Sequence, residues 1–137
     1  MDPEIETFFK QFVENFKPIF KLIPIQNKPI NILIQYFPMV FEANFIVKDV
    51  DEEFYFKISP EYSTYRKIRN PYSMMTITLT EDILLEIIRG EKTILREFNY
   101  GNIHISNLKQ NYMYRIIILG MLINSKRDFD DRRKLLK

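Results

Sequence analysis

The chain has 137 residues, of which 46% are hydrophobic and 28% are charged, and its formal net charge is +2 at pH 7. This length and composition indicate one globular domain and exclude intrinsic disorder. Because the sequence contains no Cys, disulfides, thiolate chemistry and Cys-based zinc sites are excluded as well.

The positive charge is concentrated at the C-terminal end. Residues 125–137 hold six Lys/Arg and three Asp, so residues 1–124 are close to neutral. Nucleic-acid binding requires a basic face on the whole domain, and we therefore expect no nucleic-acid partner. The N-terminus lacks the basic start of a signal peptide, and no apolar run approaches the ~20 residues of a membrane-spanning helix. We expect a cytoplasmic protein.

The N-terminal segment is predicted to begin with an amphipathic helix over residues 2–22. Apolar side chains recur there every three or four residues between Ile5 and Phe16, which is the period of a helix with one buried face. Asp2 is suited to cap this helix with Pro3 at its first position. Pro18 is expected to kink or end it.

Beyond this helix the hydrophobic period changes. A second helix is predicted from Pro29 to Tyr36 or Phe37, and after Pro38 the period falls from 3.6 to 2, which indicates strands. An acidic turn separates the first two strands, so they are predicted to pair as a hairpin. The strands predicted here are residues 41–47, 54–58, 62–68 and 75–79.

The C-terminal half adds helices and one more strand. Thr80, followed by two acidic residues, predicts a helix start, and Gly90 is placed to end that helix in the left-handed conformation. Ser125 is expected to cap one more short helix. The elements predicted between Gly90 and Ser125 are a short helix at 93–99, a strand at 102–106 and an apolar helix from Asn107 to Ile123. The predicted fold class is α/β (α+β), a sheet with helices covering one face.

Motifs for catalysis or metal binding are not recognisable. The one histidine, His104, lies on the polar face of a predicted strand, where an exposed residue is the ordinary interpretation. Three glycines form neither a phosphate-binding loop nor a nucleophile elbow. The acidic clusters at 49–53 and 128–131 are more typical of a hairpin turn and an internally ion-paired helix than of metal sites. We predict no enzyme activity, no cofactor and no metal.

Four segments resemble, in order and spacing, the sterol carrier protein 2 (SCP2) family. They are Phe54–Ile58; Met75–Asp82, a threonine-rich strand running into an acidic helix start; Leu84–Glu91, a leucine-rich helix closed by Gly; and Phe98–Ile105, an aromatic residue, two residues, Gly and alternating hydrophobics. The resemblance covers residues 39–123. The single domain 1–137 then consists of a helical extension (1–38), an SCP2-like core (39–123) and a basic tail (124–137).

The resemblance implies an SCP2-like fold, a five-stranded mixed sheet covered by helices that together enclose an apolar tunnel. It further implies non-enzymatic binding or carriage of a lipid-like ligand, either fatty acyl, isoprenoid or sterol-like. The chain ends without the peroxisomal Ser-Lys-Leu of eukaryotic carriers. The residues expected to line the tunnel are Met75, Ile77, Leu79, Phe98, Ile103, Ile105, Tyr114, Ile117, Ile118 and Met121, and ordinary core packing is the alternative for each.

The sequence leaves a second interpretation open. A structural or interaction module of the same fold would have a filled core and would dimerise through the Phe-rich first helix or bind a protein partner. The basic tail could dock on an anionic membrane surface, although an internally ion-paired helix is the favoured alternative. Gly120 has no local explanation, because glycine inside a helix costs about 1 kcal/mol relative to Ala. Close packing against the sheet or a ligand would explain it.

Overall fold

A computed structural model describes residues 1–22, 40–59, 61–73, 75–106 and 112–136. The helices of this part of the chain are α1 (Pro3–Glu14), α2 (Phe16–Lys21), α3 (Glu81–Ile88), α4 (Ile94–Asn99) and α5 (Tyr112–Leu135). Its strands are β1 (Phe41–Val47), β2 (Glu52–Ile58), β3 (Thr64–Arg66), β4 (Thr76–Leu79) and β5 (His104–Ser106). The helix predicted from Pro29 and the cap predicted at Asn107 lie outside the described residues.

The first helix begins as predicted and ends earlier. The Asp2 carboxylate accepts a hydrogen bond of 2.8 Å from the backbone N–H of Glu4, with Pro3 at the first helical position. The break falls at Asn15, and Pro18 lies in the first turn of α2. A proline is tolerated in a first turn because the N–H groups there have no intrahelical partner. Pro18 was predicted to kink or end the helix over residues 2–22, and the helix is interrupted at Asn15, next to the residue four before Pro18 whose carbonyl the proline ring disfavours.

The five strands form one mixed sheet in the order β3-β2-β1-β4-β5. β1 is parallel to β4, and the other neighbouring pairs are antiparallel. The β1–β2 hairpin turns at Asp51, whose φ of 52° lies in the left-handed region that Asp tolerates. The predicted fold class and hairpin are confirmed.

One face of the sheet is apolar and carries α1. Phe45 lies opposite Phe54 on β2 and Ile77 on β4, and all three are at most 1% exposed. The ring of Phe9 from α1 lies 5.0 Å from that of Phe54 and 4.8 Å from that of Phe56. The phenylalanines of the first helix thus fill the layer between helix and sheet.

The opposite face is polar and is crossed by the chain between β3 and β4. Asn44 Nδ2 donates to the Asn70 carbonyl, and the Asn70 N–H donates to Asn44 Oδ1, both at 2.8 Å. The Tyr55 hydroxyl donates to Glu42 on the same face. Because side chains alternate along a strand, these polar residues and the buried phenylalanines come from the same two strands.

The terminal helix α5 runs unbroken from Tyr112 to Leu135 and packs against α2 and α4. Ser125 is buried inside it and caps nothing, so the predicted separate short helix was wrong. Charged pairs four residues apart, Lys126–Asp130 and Asp128–Arg132, continue the helix past this point.

Candidate ligand-binding cleft

An apolar cleft of about 220 Å³ lies between α4 and α5. Ile94 and Leu95 form its α4 wall, and Ile116, Ile117 and Met121 form its α5 wall. Its remaining lining residues are Ile87, Lys92, Thr93, Gly120, Ile123, Asn124 and Arg127. The cleft is therefore apolar along its walls and polar at one end.

The position of the α4 wall follows from local sequence. Thr93 caps α4, its side-chain oxygen accepting a hydrogen bond from the backbone N–H of Arg96 at 3.3 Å. Gly90 ends α3 with a φ of +84°, which lets the chain turn directly into that cap. Ile94 and Leu95 are thereby held at the start of a helix that faces α5.

The ten residues predicted to line a tunnel fall into three groups. Ile117 and Met121 line the cleft. Phe98 and Tyr114 are partly buried against the core. The other six lie in the core at no more than 3% exposure: Met75, Ile77, Leu79, Ile103, Ile105 and Ile118.

Gly120 lines the cleft from the middle of α5. Among the described residues, the nearest atom to a Cβ at this position would be Ile94 Cγ2 at 3.9 Å, which is an ordinary van der Waals distance. Packing among the described residues therefore does not require a glycine here.

Arg127 stands at the polar end of the cleft. Its guanidinium lies against Gly90, beyond the C-terminal end of α3, where the helix dipole favours a cation. Its Nη2 donates to the Asn124 side chain, whereas its Nε is buried and has no hydrogen-bond partner among the described residues. Sequence reasoning missed Arg127, Ile94 and Leu95, because their roles depend on how α4 and α5 face each other.

A second, charged groove of about 510 Å³ lies on the other side of Arg127, between α1 and the C-terminal half of α5. Lys126 is buried at its base, with its side chain 2% exposed. Its Nζ is ion-paired with Asp130, donates to Gln11 Oε1 at 3.2 Å and lies 4.7 Å from the Phe8 ring centroid.

The tail cations that suggested membrane docking are mostly engaged within α5. Lys126 pairs with Asp130, Arg132 pairs with Asp128 at 3.3 Å, and Arg133 lies over the Phe129 ring. This arrangement matches the internally ion-paired helix that the sequence favoured. Docking on an anionic membrane stays a prediction without structural support.

The Phe-rich face of α1 is occupied within the chain. Ile5, Phe9 and Phe12 are 0% exposed and Phe8 is 7% exposed. These side chains are not available to a second copy, so the dimer predicted through this helix has no exposed apolar face to use there.

Groups suited to metal binding are not clustered in the described residues. No three His, Asp or Glu side chains there lie close enough to hold a metal ion. His104 is exposed on β5, as its sequence position predicted. None of the described helices is both long enough and apolar enough to cross a membrane.

Comparisons with known proteins identify the fold. No protein-family model and no curated protein matches the sequence. Among solved structures, the SCP2 protein of Yarrowia lipolytica in its apo form matches with a TM-score of 0.50 and 17% identity over 88% of each chain. The ubiquinone synthesis protein UbiJ-SCP2 matches with a TM-score of 0.51 and 8% identity, covering 87% of this chain and 98% of its own.

A third match is partial. The inverting sec-alkylsulfatase Pisa1 from Pseudomonas sp. matches 58% of this chain at 15% identity and a TM-score of 0.48. The chain spans 13% of the length of that enzyme. The matches to the Yarrowia and UbiJ structures show that the fold is SCP2-like, as the sequence resemblance implied. At 8–17% identity they are evidence for the fold alone.

Proposed function

We propose that this chain, whose fold is SCP2-like, binds an apolar, lipid-like ligand in the cleft between α4 and α5. The proposal concerns binding or carriage without catalysis. Ile94, Ile117 and Met121 would contact the ligand, and burial of apolar ligand surface would drive the association. A cytoplasmic location stays a prediction from the sequence.

The observation that carries the proposal is the glycine in the α5 wall. A helix interior favours alanine over glycine by about 1 kcal/mol, and the space at Gly120 would accept a Cβ. A glycine where alanine fits leaves the cleft wider by one methyl group. This extra width is of use to a ligand in the cleft, whereas a core filled by its own side chains would gain nothing from it.

The size of the cleft limits how much ligand it encloses. Small-molecule sites typically measure about 300–1,000 Å³, and this cleft measures about 220 Å³. It therefore holds one part of a lipid, such as several methylenes of a chain. Met75 and Ile105, two of the predicted residues, are buried in the core and do not line this cleft.

The test is binding of cis-parinaric acid, a fatty acid whose fluorescence rises in an apolar site. We expect saturable binding to the wild-type chain, and binding at least about tenfold weaker in Gly120→Leu, because the leucine side chain occupies the cleft. Gly120→Ala is the matched control: it should retain most of the binding and raise the free energy of unfolding by up to about 1 kcal/mol.

Each outcome decides between the two functions left by the sequence. Absence of saturable binding to the wild type would overturn the proposal and favour a structural module with a filled core. Equal binding by wild type and Gly120→Leu would place the ligand elsewhere and overturn the assignment of the cleft.

A further inference from the structure

We propose that Arg127 binds the anionic head group of an amphiphilic ligand whose apolar part occupies the α4–α5 cleft. This inference rests on the proposed function and adds the ligand's chemical class, a lipid with a carboxylate or phosphate head. It also predicts discrimination against neutral lipids such as sterols and isoprenoid alcohols.

The first argument is the bonding of Arg127. Its side chain is partly buried, and Asn124, a neutral residue, is its hydrogen-bond partner. The Nε–H is buried without a partner in the described structure. A buried N–H of a cation that lacks an acceptor is costly, and an anionic oxygen placed beside it would remove that cost.

The second argument is that the neighbouring cations are already neutralised. Lys92, which also lines the cleft, pairs with Glu86 at 2.6 Å. Arg89, the residue before Gly90, forms an ion pair with Glu4. The described residues place no carboxylate within ion-pair distance of Arg127, so of the two cations that line the apolar cleft it is the one left for an external anion.

The third argument is the position of Arg127 between two different spaces. It lines both the apolar cleft and the charged groove beside α1. An amphiphile needs this arrangement, an apolar space for its chain that opens at a cation into a polar space for its head. The two spaces also meet along α3, where Ile87 lines the cleft and its neighbour Ile88 lines the groove.

The charge balance of the groove supports an anion over a cation. Its ionised residues are Glu4, Arg89, Lys126, Arg127, Asp130, Asp131 and Lys134. The Glu4–Arg89 and Lys126–Asp130 pairs cancel, which leaves Arg127 and Lys134 against Asp131. Because Lys134 and Asp131 have opposite charges, the net positive charge of the groove equals that of Arg127, which a head group entering from the cleft meets first.

The experiment compares cis-parinaric acid with its methyl ester, which has the same chain and no charge. We expect the wild-type chain to bind the acid at least about tenfold more tightly, since a hydrogen bond to a charged group contributes that much or more. Arg127→Gln should abolish this preference by weakening the binding of the acid to about the level of the ester. Arg127→Lys, which keeps the charge without the guanidinium fork, should retain part of it.

The control is Arg132→Gln, which removes an exposed cation from the same helix outside both spaces and should leave the preference intact. Unfolding curves show whether each variant is folded. Equal wild-type affinity for acid and ester would overturn this inference while the proposed function stands. Failure of the wild type to bind either probe would overturn both, and an unchanged preference in folded Arg127→Gln would assign the head group to another residue.

Discussion

The guanidinium of Arg127 occupies the space that a Cβ at Gly90 would fill. Gly90 also has a φ of +84°, which side chains other than glycine rarely adopt. The end of α3 and the polar end of the cleft are therefore coupled through this one contact. A side chain at residue 90 would both strain the turn and displace the guanidinium.

Gly90→Ala should lower the free energy of unfolding by more than Gly101→Ala. Gly101 has a similar φ of +80°, and no atom of the described residues lies within 4 Å of the position that a Cβ would take there, so alanine meets only the backbone strain of about 1–2 kcal/mol. The additional loss of unfolding free energy in Gly90→Ala should become smaller when Arg127→Ala is also present. A double-mutant cycle by urea unfolding would measure this difference. Equal effects of the two glycine substitutions would show that the Arg127 side chain can move away from residue 90 without a loss of stability.

Two tyrosines on β2 and β3 should respond oppositely to removal of the hydroxyl. The Tyr65 hydroxyl is buried without a hydrogen-bond partner in the described structure, whereas the Tyr55 hydroxyl donates to Glu42. Tyr65→Phe should leave the free energy of unfolding unchanged or raise it, because an unsatisfied group is removed. Tyr55→Phe should lower it by about 1–2 kcal/mol. A loss of stability in Tyr65→Phe would mean that its hydroxyl has a partner.

Alkaline pH tests the same tyrosine. Burial raises the pKa of Tyr65 to about 12, and the nearby Glu6 and Glu52 add to the shift. Because the folded pKa lies above the ordinary value of about 10, the corresponding stability is intact below pH 10 and is lost as pH rises through the folded pKa. Absorbance at 295 nm should therefore show an ionisation step of Tyr65 well above the ordinary tyrosine pKa, and Tyr65→Phe should remove that step.

Lys126→Met should destabilise the chain by about 2 kcal/mol. The substitution keeps an unbranched apolar stem but removes the charge that pairs with Asp130 and bonds Gln11. The loss of unfolding free energy is smaller than for a fully buried ion pair, because Asp130 is 33% exposed and water can solvate its carboxylate once the lysine is gone. Arg132→Gln, in the exposed pair with Asp128, should change stability by less than about 0.5 kcal/mol. Thermal and urea unfolding at pH 7 would compare them, and similar effects would mean that Lys126 is solvated.

The contact between α1 and α3 should weaken in acid. Arg89 hydrogen-bonds Glu4 and lowers the pKa of its carboxyl. Since the folded pKa is depressed, the pair stabilises the fold at neutral pH and stops doing so as pH falls through that pKa. Glu4→Gln should thus lower the Tm slightly at pH 7 and not at about pH 2, well below the ordinary carboxyl value. Glu61→Gln, at an exposed site without an ion pair in the described structure, should have no effect at either pH.

The sheet was predictable because its residues repeat with a clear period. β1 and β2 alternate large apolar side chains with polar ones, and both strands and their pairing agree with the prediction. The third strand was predicted at 62–68 and is only Thr64–Arg66. Its mixed Tyr, Thr and Arg pattern gave no period, and a tertiary contact of Asn70 with Asn44 directs the chain away from the edge.

Elements of the cleft were harder to predict because tertiary packing decides them. Ile117 and Met121 were identified from the apolar helix, but Ile94 and Leu95 line the cleft through the angle at which α4 meets α5. The continuation of α5 past Ser125 depends on ion pairs within the helix and on burial of Lys126 against α1. A capping residue in the sequence carries no information about such partners.

The most direct test of the account is methyl NMR of methionine-labelled chain during titration with cis-parinaric acid. Met121 lines the proposed cleft, whereas Met1 lies at the N-terminus beside Glu52. The account predicts a saturable shift of the Met121 methyl resonance, assigned through Met121→Leu, with Met1 unchanged. A Met121 resonance that stays in place while the probe binds would contradict it.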